Sequence, residues 1–109
     1  MANTLSRIVG PANVASGTST VFTGTTAHVY TFKHMTIVNP TAGAITIKMG
    51  IQAAAGTLDD DELFLPTATI DPGGIAEWSG TMILAGTEVI RAVTSDTGLT
   101  FTAHGLDQG

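Results

Sequence analysis

The residues in this chain best suited to chemistry are the carboxylates of Asp59-Asp60-Asp61-Glu62 and the imidazoles of His28, His34 and His104. A run of acidic side chains could offer oxygens to Ca²⁺, which takes roughly six to eight of them. Consecutive side chains in a loop do not converge readily on one ion. The alternating Asp/Asn pattern with a central Gly that marks a calcium loop is also absent. The run therefore reads as a solvated loop, or as an acidic contact to a basic partner. Zinc would require histidines at short, defined spacing, and these three are scattered along the chain. Each reads as a sheet-surface residue, so no metal site and no cofactor is expected.

Asp96-Thr97-Gly98 carries the triplet of aspartic proteases, in which two such carboxylates share a proton and activate water. Its context argues against that use. Ser95 precedes the aspartate where those enzymes have an apolar strand, and only eleven residues follow Gly98. Asp-x-Gly after a strand is also an ordinary turn. No Gly-x-Ser-x-Gly elbow, no Gly-Lys-Thr phosphate loop and no Gly-x-Gly-x-x-Gly stands anywhere. Asn39-Pro40-Thr41 is barred from glycosylation by its proline. Trp78 and Tyr30 could stack on a sugar, which makes a carbohydrate-binding module an alternative. A lone Trp beside a turn serves a core more often. The expectation is a non-enzymatic chain with no catalytic residue.

The elements that position these groups are organised around Ile70 to Ser95. There, apolar runs alternate with the turn residues Asp71-Pro72-Gly73-Gly74, Ser79-Gly80 and Ala85-Gly86-Thr87. Proline presets φ at a turn's first corner and glycine accepts the positive φ that the next often needs. Ile75 to Trp78, Thr81 to Leu84 and Glu88 to Thr94 are each of strand length, and no helix fits between such breakers. Upstream, Thr18 to Thr23 is a strand, and Ala27 to Val38 is the longest β-like run. Its apolar parity changes midway, so either a bulge near Lys33-His34 switches faces or both faces are covered. Ile45 to Ile51 alternates as a half-buried strand. Gln52 to Ala55 has room for one helical turn before Gly56. Leu63 to Leu65 and Thr67 to Ile70 flank Pro66 as an interrupted edge strand, and Leu99 to His104 closes the series.

Seven or eight short strands at this spacing predict an all-β, two-sheet antiparallel β-sandwich, with the jelly roll as one form of it and a small closed barrel as the alternative. Residues 1–17 read as an extended N-terminal arm, and residues 18–109 as the sandwich domain.

Composition bounds the partners. Across 109 residues the net charge is −5, only 12% of residues are charged and 43% are apolar. Arg7, Lys33, Lys48 and Arg91 are the only cations, too few and too scattered for a nucleic-acid stripe or an anionic membrane surface. There is no Cys, so disulfides and thiolate metal sites are excluded. The N-terminal residues lack the apolar core of a signal peptide, and no apolar run reaches membrane-spanning length. Charge this low suggests that another surface covers part of the chain.

Leu63-Phe64-Leu65-Pro66, Ile70-Asp71-Pro72-Gly73-Gly74, Glu77-Trp78, Met82-Ile83-Leu84, Ala85-Gly86-Thr87 and Val89-Ile90-Arg91-Ala92 follow one another in a strand–turn rhythm. This succession resembles small virion structural proteins of tailed bacteriophages, and Thr36 to Ile51 resembles the preceding hairpin of such modules. Together these segments cover a little over half the chain. The resemblance implies a non-catalytic virion protein on a head or tail surface, made in the host cytoplasm. Capsid decoration (cement) is the favoured role, with a minor tail, collar or tip protein as the alternative. Its partners would be further copies of itself and the major capsid protein or tail proteins.

The surface expected to make those contacts is the face of the last long strand bearing Val89, Arg91 and Val93, opposite Ile90 and Ala92. A monomer would leave these valines in water, and covering each would contribute roughly 1.5 kcal/mol or more. Ile8 and Val9 on the arm would add contacts to a neighbour. Cyclic symmetry closes such contacts, and a homo-trimer is favoured because capsids offer threefold sites to decoration proteins.

Overall fold

A computed structural model describes residues 6–108 of the chain. Eight strands follow one another: β1 (Ser6–Val14), β2 (Gly17–Thr23), β3 (Val29–Val38), β4 (Ile45–Gln52), β5 (Leu63–Ile70), β6 (Ile75–Ala85), β7 (Val89–Thr94) and β8 (Leu99–Gln108). Among the described residues the only helical segment is a 3₁₀ turn, Asp60–Glu62. The strands form two antiparallel four-stranded sheets, β1-β8-β3-β6 (sheet one) and β2-β7-β4-β5 (sheet two). β1 pairs with β8, β2 with β7, β3 with β6 and β4 with β5, all antiparallel. This nesting is that of one long hairpin rolled over on itself, which is the jelly-roll arrangement of a β-sandwich.

The core lies between the sheets. Phe32, Met35, Ile37, Leu84, Leu99 and Phe101 from sheet one meet Ile45, Ile47, Met49 and Ile90 from sheet two, and all are buried. Each such side chain contributes roughly 1.5–3 kcal/mol. The parity change expected in β3 is a register shift between Phe32 and His34. Tyr30 and Phe32 on one side of it, and Met35 and Ile37 on the other, thereby all face inward. Gly105 on β8 makes this possible, because a Cβ there would collide with the Thr31 carbonyl.

Asn39, at the end of β3, is fully buried. Its Nδ2 donates to the carbonyls of Gly43 and Ile70, each at 2.8 Å. Its Oδ1 accepts from Thr41 N at 3.0 Å and Thr41 Oγ1 at 2.6 Å. Its backbone N–H donates to the Gly74 carbonyl, and its own carbonyl accepts from Gly73 N. One side chain thus pins the β3–β4 and β5–β6 connections together, with every polar atom satisfied.

Three expectations change. Residues 6–14 are not an arm but strand β1, hydrogen-bonded along β8 with register shifts between Arg7 and Val9 and between Val9 and Ala12. Val9 and Val14 enter the core and Ile8 packs against it; residues 1–5 of the expected arm lie outside the described residues. Ser79-Gly80 is not a turn, since β6 runs unbroken from Ile75 to Ala85. Gln52 belongs to β4 and the helical turn comes later, at Asp60–Glu62. The edge position expected around Pro66 stands, with β5 at the border of sheet two, but the strand runs continuously through Pro66 and the expected interruption is a register shift against β4.

Candidate interaction surface

The outer face of sheet two carries Val89, Arg91 and Val93 on β7. Arg91 and Val93 stand opposite Gly50 and Lys48 on β4, and Val89 opposite Gln52. The chain covers much of this face itself. The segment between β4 and β5 folds back over Gly50, and Leu58 and Val89 are left 5% and 6% exposed. Gln52 Nε2 donates to the Thr57 carbonyl and to Glu62 Oε1, both at 2.9 Å, while its Oε1 accepts from Gly56 N. The Arg91 guanidinium donates to Thr20 Oγ1 at 2.6 Å and to the Gly56 carbonyl at 3.3 Å.

This corrects the expected interface at Ile8, Val9 and Val89. Val9 lies in the core and Ile8 against it. Val89 is buried beside Gln52, whose side chain is held by the chain's own loop, and Arg91 donates to that loop at Gly56. Arg91 and Val93 are half-buried and border open surface. With Thr46, Lys48, Thr67 and Ser95, Val93 lines a shallow depression of about 210 Å³.

The acidic run is part of the same covering segment. Glu62 closes a capping box, accepting from Asp59 N at 2.9 Å. Carboxylate oxygens of Asp59, Asp61 and Glu62 lie within 4.8 Å of one another, so the backbone does converge them, contrary to the sequence reading. Glu62 Oε1 is already occupied by Gln52 and Asp59, and the group's role visible here is to fasten the loop. Asp96 is exposed in the turn between β7 and β8, its Oδ1 accepting from Thr97 N at 2.7 Å. Thr97 Oγ1 in turn accepts from Ser16 N. Tyr30 is buried, its hydroxyl accepting from Thr25 N at 3.2 Å. Trp78 points inward, half-buried, with its ring edge-on to Phe64 of β5 at 5.6 Å. It joins the two border strands β6 and β5 rather than standing free.

Sheet one turns a different surface outward. Among the described residues the exposed large apolar side chains are Val29 (38%), Ile75 (57%) and Ile83 (62%). All three lie on its outer face. On β6 the outward row is Ile75, Glu77, Ser79, Thr81 and Ile83, all exposed. Polar groups of β3 and β8 lie beside it. His34 Nε2 is 3.1 Å from Glu77 Oε2, the His34 and His104 rings stack at 6.5 Å, and Lys33 Nζ donates to Thr81 Oγ1 at 2.8 Å. Near one end His28 Nδ1 meets Asp107 Oδ1 at 2.8 Å. Exposed pairs of this kind contribute little stability, at most about 1 kcal/mol each.

The sequence carried one readable signal for this face. Ile75 and Ile83 share parity on β6, opposite to Ala76, Trp78, Met82 and Leu84. It becomes visible only when Ser79-Gly80 is taken as strand. Among the described residues no helix is long and apolar enough to cross a membrane. Comparison of the chain with protein-family models, curated proteins and solved structures gave no match.

Proposed function

We propose that this chain is a non-catalytic structural module that joins copies of itself on a larger assembly. A virion is the setting implied by its resemblance to small tailed-bacteriophage proteins, and capsid decoration is the favoured role. The observation that carries the reading is the contrast between the two outer faces. The chain covers part of sheet two's outer face with its own loop, while that of sheet one holds every exposed large apolar side chain among the described residues. Ile83 stands near Val29 at one end of this face and Ile75 at the other, eight residues along β6, so the row offers a partner apolar contacts at both ends. The jelly roll supports this only as analogy, since viral shell proteins and lectins share it with unrelated proteins.

A head-bound decoration protein and a minor tail, collar or tip protein would use the same surface, against the major capsid protein or against tail proteins. The carbohydrate alternative has less to stand on, with Tyr30 buried and Trp78 packed on Phe64. The test is quantitative mass spectrometry of purified particles together with immunogold labelling. The proposal expects many copies per particle, with gold on the head for decoration and on the tail for the alternative. Expression at high level in infected cells with none in the particles would remove the virion reading.

A further inference from the structure

We infer that β6 is a self-pairing edge: two copies join their sheets one across a two-fold axis at Ser79, β6 running antiparallel to β6 of the second copy. The inference deepens the assembly reading and draws its biological setting from it. Its geometry rests on β6 alone.

The four border strands differ in how they meet solvent. β1 contains Gly10-Pro11 and two register shifts, β2 has a shift between Thr20 and Phe22, and β5 contains Pro66. Each is the kind of interruption that discourages pairing with another chain. β6 is the longest strand, with no proline and Glu77 as its single charge. Its one register shift sets Gly80 and Thr81 against Lys33, with Gly80 at φ 155°. Ala76 and Trp78 before it and Met82 and Leu84 after it nonetheless all face inward, so the outward row of Ile75, Glu77, Ser79, Thr81 and Ile83 keeps its alternation.

Self-pairing needs a self-complementary row, because under two-fold symmetry residue i meets j and j meets i. Ile75 and Ile83 lie four residues to either side of Ser79. Antiparallel pairing centred there sets Ile75 against Ile83 of the second copy twice over, which removes the two most exposed large apolar side chains from water. It also sets Glu77 against Thr81 of the second copy. Thr81 already holds Lys33 Nζ at 2.8 Å, so each Glu77 meets a lysine across the axis. Apolar contacts thus form at both ends of the row and opposite charges between them, as cross-strand pairs require. This two-fold contact takes the place of the trimer expected from sequence.

The chain contains no cysteine, so in a single-cysteine variant any disulfide joins the introduced thiols. Ser79→Cys should yield a covalent dimer under mild oxidation roughly tenfold or more faster than Ser95→Cys, because pairing raises the effective thiol concentration toward millimolar. Ile83→Lys added to Ser79→Cys should abolish that advantage. Ile83→Lys alone should sediment as a monomer with an unchanged far-UV spectrum, its side chain being exposed in the subunit. Equal cross-linking rates for Ser79→Cys and Ser95→Cys, or a wild-type chain that stays monomeric at the highest soluble concentration, would overturn the inference. A chain that dimerises through Ser79 yet never copurifies with particles keeps this contact and removes the virion reading.

Discussion

Leu58 occupies the space that a side chain on Gly50 would need. A Cβ built on Gly50 would lie 2.6 Å from Leu58 Cδ1 and 2.6 Å from the Glu62 carbonyl oxygen. The loop between β4 and β5 is seated on the bare backbone of β4, and this is how the chain covers the part of sheet two's outer face around Gly50 and Gln52.

Gly50→Ala should therefore lift the loop. A loss of about 1–3 kcal/mol is expected, in the range of overpacking at a tight site. Urea denaturation followed by Trp78 fluorescence measures it. Faster proteolysis between residues 53 and 62 should accompany the loss, because the displaced loop frays first.

Asn39→Ala should be among the most damaging single substitutions. It removes four side-chain hydrogen bonds at a fully buried site. Each is worth about 1 kcal/mol net, and more where a buried partner loses its donor, so a total of about 3 kcal/mol or more is expected. Asn39→Asp keeps the acceptor for Thr41 and loses the donors to Gly43 and Ile70, placing a carboxylate against two carbonyls. It should be as harmful as Asn39→Ala, and thermal denaturation of the two variants side by side checks this.

The Ser19 hydroxyl is buried with no hydrogen-bond partner. Ser19→Ala removes that desolvated group, so stability should stay level or rise by up to about 1 kcal/mol. A loss beyond about 1 kcal/mol in chemical denaturation would show that the hydroxyl is paired in solution.

Asp96→Asn retains an oxygen to accept from Thr97 N in an exposed turn. Stability should change by less than about 0.5 kcal/mol. Peptide hydrolysis by the wild-type chain that disappears in Asp96→Asn would contradict the non-catalytic account.

How far the sequence could be read depended on the range of the interactions involved. Strand alternation and turn residues are local, so Ile45 to Ile51, the shift at Lys33-His34 and the edge at Pro66 were all legible. The place of residues 6–14 was not, because β1 is recruited by β8 at the far end of the chain and its alternation is broken twice. Ile8 and Val9 next to Gly10-Pro11 therefore resembled an arm. Val89 misled for a related reason. An outward valine on a strand signals a missing cover, but not whether that cover is a second molecule or the chain's own loop. Ile75 and Ile83 went unread because Ser79-Gly80, a turn pair by composition, lies inside β6, where Ser79 pairs with His34 and Gly80 takes up a register shift.

Amide hydrogen exchange across a concentration series tests the central claim most directly. Self-pairing at β6 predicts that protection of residues 75–83 rises with protein concentration, while the border strands β1, β2 and β5 exchange at rates independent of it. Exchange in β6 that does not respond to concentration, or protection gained instead around Lys48 and Val93 on sheet two, would contradict the account.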